Sequence, residues 1–212
     1  MGPIMTTIDA ALHDVKAPAA TPEQSPGRQH ALGSRVDFSQ SSSIETIAYI
    51  ATATPPAGYA EGDVVSGPGY HDQTNLNKML ADGLVEKLEV PADSGGQTWL
   101  YIEAGEALSR GNSVQLSAVD GGKYIMYKSV EAGRTKGFAQ WNIPSGNFAW
   151  VLCAGVGKAL VGASPANQGE RIAAGTAGLS IDVTTPNDVG AGRWLSDGAI
   201  GALADADFAC IA

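Results

Sequence analysis

The stretch that most invites a chemical reading is GVGKALVG, residues 155–162. A phosphate-binding loop needs a glycine five residues before its Gly-Lys pair and a Ser or Thr after the lysine. Here those positions hold Leu152 and Ala159. A dinucleotide-binding glycine pattern fails as well, because its third glycine falls on Leu160 and no strand–helix–strand unit surrounds it. A glycine-kinked strand carrying Lys158 accounts for the segment. His71-Asp72 has the composition of half a catalytic dyad, but the chain has no G-x-S-x-G elbow to supply a nucleophile. Asp72 is better read as a helix-start residue, where a carboxylate meets the positive end of the helix dipole.

Glu103, Glu106 and Glu131 are the carboxylates available for glycoside hydrolysis. A retaining enzyme needs two of them about 5–5.5 Å apart in a cleft, usually beside aromatic platforms. Trp99, Trp141, Trp150 and Trp194 could furnish platforms, but FAQW and NFAW alternate like strands, where a tryptophan packs in a core or an interface. AVDGG (118–122) and TPNDVG (185–190) lack the alternating oxygen ligands of a calcium loop and read as turns. Cys153 and Cys210 sit in apolar contexts, VLCAG and FACIA, and read as buried free thiols. With His13, His30 and His71 far from both in sequence, no metal-ligand spacing arises. No catalytic, cofactor or metal site is expected, and the chain reads as a structural or binding module rather than an enzyme.

Charge narrows the partners. The 212 residues carry a net charge of −9, and the 13 Lys and Arg are scattered singly. No basic patch offers counterion release, so nucleic acid is not an expected partner. No run approaches the 18 apolar residues of a membrane span, and MGPIMTTIDAALHDVK lacks the basic-then-apolar order of a secretory signal. Only 17% of residues are charged, which suits a surface partly covered by another chain; a β protein rich in small residues has the same composition.

The elements follow from punctuation. Nineteen of the 27 glycines lie beyond residue 94 and break the chain into short apolar runs. Turns at about eight-to-twelve-residue spacing leave no room for alternating helices and strands and predict an all-β sandwich or barrel. Strands are expected near 98–102, 113–118, 122–128, 137–141, 147–154, 157–160, 171–173, 179–183, 193–195 and 207–211. EAGE (103–106) and AAGT (173–176) occupy similar places in two stretches and hint at an internal duplication. Upstream, IETIAYIATAT alternates as a strand over 44–54, and a short strand is expected near 63–66. TNLNKMLADGLVEKLEV places Leu76, Met79, Leu80, Leu84 and Leu88 at helical spacing, although LVEKLEV also fits a strand. Residues 1–45 form an extended N-terminal arm: Pro18, Pro22 and Pro26 punctuate a polar stretch that cannot bury enough apolar surface to offset its ordering entropy. TTIDAALHDV within it has the makings of one short helix. The expected domains are the arm at 1–45, a strand, loop and helix region at 46–97, and a β domain at 98–212.

The segments EAGEALSRGNSVQLSAVDGGKYIMYKS, RTKGFAQWNIPSGNFAWVLCAGVGKALV and QGERIAAGTAGLSI, in that order, resemble the small β-rich decoration (cement) proteins of tailed-bacteriophage capsids, whose fold is described as a β-tulip. The likeness covers roughly residues 98–212 and rests on composition and order rather than on any diagnostic residue. It implies a virion protein on the capsid exterior that bridges subunits of the major capsid protein, is often a trimer, and has no catalytic residues to transfer. The alternative is a carbohydrate-binding adhesion module of a phage head or tail fibre, which would need two or more solvent-facing aromatics in a groove. A tail-tube role and an enzyme of glycan or nucleotide chemistry are the remaining readings.

Overall fold

The computed structural model describes residues 24–25, 30–38, 45–66, 73–90, 96–116, 124–129, 134–182 and 191–210. The TTIDAALHDV helix, the His71-Asp72 pair, Glu131 and both calcium-loop candidates lie outside these residues. The described chain is all-β with one short helix. In order, the strands are β1 (Gln24–Ser25), β2 (Arg35–Phe38), β3 (Glu45–Ala51), β4 (Val64–Ser66), β5 (Val85–Val90), β6 (Gln97–Ala104) and β7 (Ser113–Leu116). They continue with β8 (Ile125–Lys128), β9 (Thr135–Phe138), β10 (Phe148–Leu160), β11 (Arg171–Ala174), β12 (Ser180–Asp182), β13 (Gly192–Trp194) and β14 (Leu203–Ala209). Helix α1 spans Gln73–Ala81.

Between sandwich and barrel, the pairing decides for barrel, twice. Strands β10, β9, β7, β8 and β6 pair in that order, and β6 returns to β10, which closes a five-stranded barrel. The C-terminal half of β10 then pairs with β14, β14 with β13, β13 with β11 and β11 with β12. A parallel bridge from Val161 to Ser180 brings that second circuit back to the end of β10. The two barrels thus share one 13-residue strand. Closure leaves few open sheet edges, which are otherwise a route to unwanted pairing.

The two barrels follow one connection plan. Each includes one parallel contact: Ala104 with Met126 in the first, Val161 with Ser180 in the second. Leu108 bridges Ile143, and Ala166 bridges Gly198. Gly146 N–H donates to Ala104 O (2.7 Å), as Gly201 N–H donates to Val161 O (3.0 Å). Ala104 N–H donates to Asn147 O, as Val161 N–H donates to Ala202 O, both at 2.9 Å. The duplication hinted at by the sequence is therefore present, in a different register. EAGE (103–106) corresponds to LVGA (160–163), and AAGT lies instead on β11 and its exit, opposite β7 and its exit. The hint went astray because main-chain hydrogen bonds, which carry no side-chain signature, define the repeat.

Strand β10 also corrects the expected pair of strands at 147–154 and 157–160. Gly155 (φ +97) sits where a Cβ would lie 2.3 Å from Gly96 O, so the strand passes through a close backbone approach without ending. A bulge between Leu152 and Ala154 absorbs the irregularity.

Trp99 stacks on Trp141 with ring centroids 5.5 Å apart, both in the buried core. Phe138 of β9 stacks on Phe208 of β14 at 3.9 Å and so joins the two barrel cores. The small sheet β4–β3–β5 is separate. It buries Tyr49 and Val85 against Leu76, Met79 and Leu80 of α1. The helical periodicity read through Leu88 stops at Ala81, where Gly83 N–H bonds Leu80 O and Leu84 N–H bonds Met79 O to close the helix end. The LVEKLEV tail then takes its strand reading and pairs with β3.

The extended N-terminal arm, where it is described, supplies strands paired within this same subunit. Gln24 and Ser25 pair with Ala149 and Phe148, and Arg35–Phe38 pair with Leu100–Gln97. Between them, His30 meets the ring of Tyr101 edge-on at 4.9 Å. Strand pairing supplies the backbone partners that the segment's polar composition could not obtain from a core.

Candidate functional site

One turn is built three times. Gly62, Gly111 and Gly169 have φ of +84, +83 and +89. Each donates its N–H across to a neighbouring strand end: to Ala51 O (2.9 Å), Ala139 O (2.7 Å) and Trp194 O (2.9 Å). The residue after each glycine accepts the return bond from the same strand, Asp63, Asn112 and Glu170 from Ala51, Ala139 and Trp194, all at 2.9 Å. Asp63 and Asn112 also fold their side chains back, accepting from Ala60 N–H (2.7 Å) and Ser109 N–H (2.8 Å). The small sheet therefore carries the same turn as the two barrels.

Asn142 ties the first two turns together. Its Oδ1 accepts Arg110 N–H (3.0 Å), its Nδ2 donates to Glu61 O (2.8 Å) and Asp63 Oδ1 (3.0 Å), and its own N–H donates to Gly62 O (2.9 Å). The corresponding tie in the second barrel runs from Gln168 N–H to Asp197 Oδ1 at 2.7 Å.

Where these turns meet the second barrel there is a cleft of about 450 Å³. Its walls include Thr52, Glu61, Arg110, Asn142, Gly201 and Leu203. Arg110 is buried and its Nη1 donates to the half-exposed Glu86 carboxylate, so the cleft carries a neutralised pair rather than a bare charge. No His, Lys or Cys among the described residues lines it; its polar lining is the Arg110–Glu86 pair, the Glu61 carboxylate, the Thr52 and Ser109 hydroxyls and the Asn142 amide.

The residues singled out from sequence are placed as follows. Lys158 lies on β10, ion-paired to Asp205 at 2.8 Å, and its main chain is held by the buried Gln140 amide, with Lys158 N–H to Gln140 Oε1 at 2.8 Å. Glu106 accepts Lys128 N–H at 2.8 Å and faces its ammonium at 3.7 Å, a structural role in the turn after β6. Glu103 lies half-buried on β6. Trp99, Trp141, Trp150 and Trp194 are 2%, 1%, 3% and 1% exposed. Cys153 on β10 and Cys210 just past β14 form no disulfide, and Cys210 N–H donates to Cys153 O at 3.0 Å. Burial, and next the neighbouring Cys153, push the Cys210 thiol well above its ordinary pKa. Among the described residues, no group of three or more His, Cys, Asp and Glu is placed to hold a metal ion. Sequence reasoning missed Arg110 and Asn142, which lie in SRGN and WNIPSGN; polar residues beside a turn glycine were the available signal.

No protein-family model matches the chain, and no curated protein matches it. Among solved structures it is similar to the crystal structure of the head fiber gp8.5 N base in bacteriophage phi29. The likeness has 16% identity and a TM-score of 0.44, and covers 52% of this chain and 92% of that one.

Proposed function

We propose that this chain is a structural virion protein that decorates a phage capsid from the outside and stabilises it by bridging subunits of the major capsid protein. The burial of all four tryptophans carries the choice between this reading and the adhesion module. A glycan-binding surface needs aromatic faces in solvent, and among the described residues Tyr59, at 40%, is the exposed large aromatic. Here all four tryptophans belong to the buried hydrophobic core. Two closed barrels on a shared strand, with segments before residue 39 paired along them, suit a part whose role is to hold its shape and bind. The scattered cations and acidic balance fit a protein partner rather than nucleic acid. The function proposed is non-catalytic, with no cofactor, and the working form is a homo-oligomer, with a trimer favoured by the resemblance. Many copies on one lattice make weak individual contacts sufficient.

The test is co-sedimentation with undecorated heads of the phage that encodes the chain. Saturable binding, together with survival of the decorated heads at higher temperature or osmotic stress, supports the proposal. Absence of binding to any such head removes it.

A further inference from the structure

The internal repeat allows each surface of one barrel to be compared with the same surface of the other, and two surfaces differ in what covers them. The first is the face around Gln140. Gln140 is fully buried, with its amide hydrogen-bonded to the Lys158 main chain on the second-barrel half of β10. Leu195 holds the corresponding place, since Leu195 N–H bonds Asp205 O on β14 just beyond the Trp194 that matches Ala139. Leu195 is 39% exposed. The place that the first barrel buries against the second-barrel half of β10 is therefore, among the described residues, exposed at Leu195 on the second.

The second surface is a strand edge. Phe148 faces Glu103, and Leu203 faces Leu160, in pairs whose own main-chain groups point away from that partner, because the adjacent pairs Ala104–Asn147 and Val161–Ala202 make the hydrogen bonds. At Phe148 the outward edge is taken by β1, with Ser25 opposite Phe148 and Gln24 opposite Ala149. At Leu203 no strand among the described residues occupies that edge. Leu203 is itself exposed, as is Ile200 at 59%, at the tip of the same hairpin. Of the four exposed large hydrophobics among the described residues, three (Leu195, Ile200 and Leu203) fall on this one hairpin of the second barrel. Clustered apolar exposure beside an open edge marks an interaction surface.

We infer that the Leu195–Ile200–Leu203 face is an interface occupied by a second copy of this chain, which also lays an extended strand along the Leu203 edge. The occupant follows from the repeat: on the first barrel the same face is covered by a barrel of this sequence and the same edge by a strand of this sequence. A contact of the second-barrel face with a different face of the next copy is heterologous, so it builds a ring or a stack rather than a two-fold pair. The inference stands on the repeat alone and does not depend on the capsid reading.

The experiment is sedimentation of the full chain across a concentration series, for wild type, Leu195→Glu combined with Ile200→Glu, and Tyr59→Glu as a control on another exposed apolar residue. Wild type self-associates, the double variant associates at least about tenfold more weakly, and the control matches wild type. Hydrogen exchange gives a readout that needs no variant: the Leu203 amide of wild type slows as concentration rises. A wild type that stays monomeric with a concentration-independent Leu203 amide overturns the inference, as does an oligomer that the double variant leaves intact. Protection of Leu203 only when heads are added assigns the face to the shell instead, and equally overturns it. Failure to bind heads with self-association intact removes the capsid reading alone.

Discussion

Gly111 and Gly169 occupy the same position in the two barrels: each has a positive φ and each donates its N–H to the end of the facing strand, Ala139 or Trp194. Their surroundings differ. A Cβ on Gly111 would lie 2.6 Å from Leu160 N and 2.5 Å from Leu203, whereas a Cβ on Gly169 meets nothing within 4 Å. Gly169→Ala should therefore cost only the left-handed backbone, about 1 kcal/mol, and Gly111→Ala about 3 kcal/mol or more, because a main-chain atom must move. Denaturant unfolding of the two variants measures the difference. Equal costs would mean that the two turns are not packed as described.

Asn142→Ala should loosen the small sheet from the first barrel. It leaves the Arg110 N–H and Glu61 O without their side-chain partner, at a cost of about 1–3 kcal/mol. Hydrogen exchange should show the loss at residues 60–63 and 109–112 before it appears in β10. Uniform loosening of the whole chain would argue against a local tie.

Burial lowers the pKa of His30, so the folded state binds its proton less readily than the unfolded chain does. Stability from this group is then fully present above its ordinary value of 6.5 and is lost as pH falls below it toward the lowered folded value. His30→Gln should flatten the stability–pH profile below pH 6.5. A steeper slope in the variant would contradict this.

The cysteines should behave as packing residues. Replacing both Cys153 and Cys210 with Ala should cost about 1–3 kcal/mol, and wild type should melt alike with and without reductant. A large loss of stability on reduction would show a disulfide.

Removing residues 1–45 takes away the strand Arg35–Phe38 paired with β6 and Gln24–Ser25 paired with β10. The truncated chain exposes two strand edges and the rings of Tyr101 and Trp150 that His30 covers, so it should melt lower and aggregate more readily. An unchanged melting temperature would show that these strands contribute nothing to the barrels.

The glycine spacing and strand alternation made the β class legible, because turn chemistry is local. Helix α1 was legible in its first two turns and overrun past Ala81, since Leu84 and Leu88 satisfy helix and strand periods at once. Strand β14 was placed too late, at 207–211, because LADADFA alternates alanine with aspartate and its buried residues Ala204 and Ala206 are too small to register as a core face. The cleft was not legible: Arg110, Asn142 and Leu203 come from distant stretches, and only long-range pairing brings them together.

The most direct test of the capsid role is electron microscopy of the assembled phage particle at a resolution that traces strands. The account predicts density for two five-stranded barrels sharing one long strand, on the outer surface of the head and in contact with more than one major capsid subunit. Finding that density in the tail, or a complete head with no such density on its exterior, would contradict it.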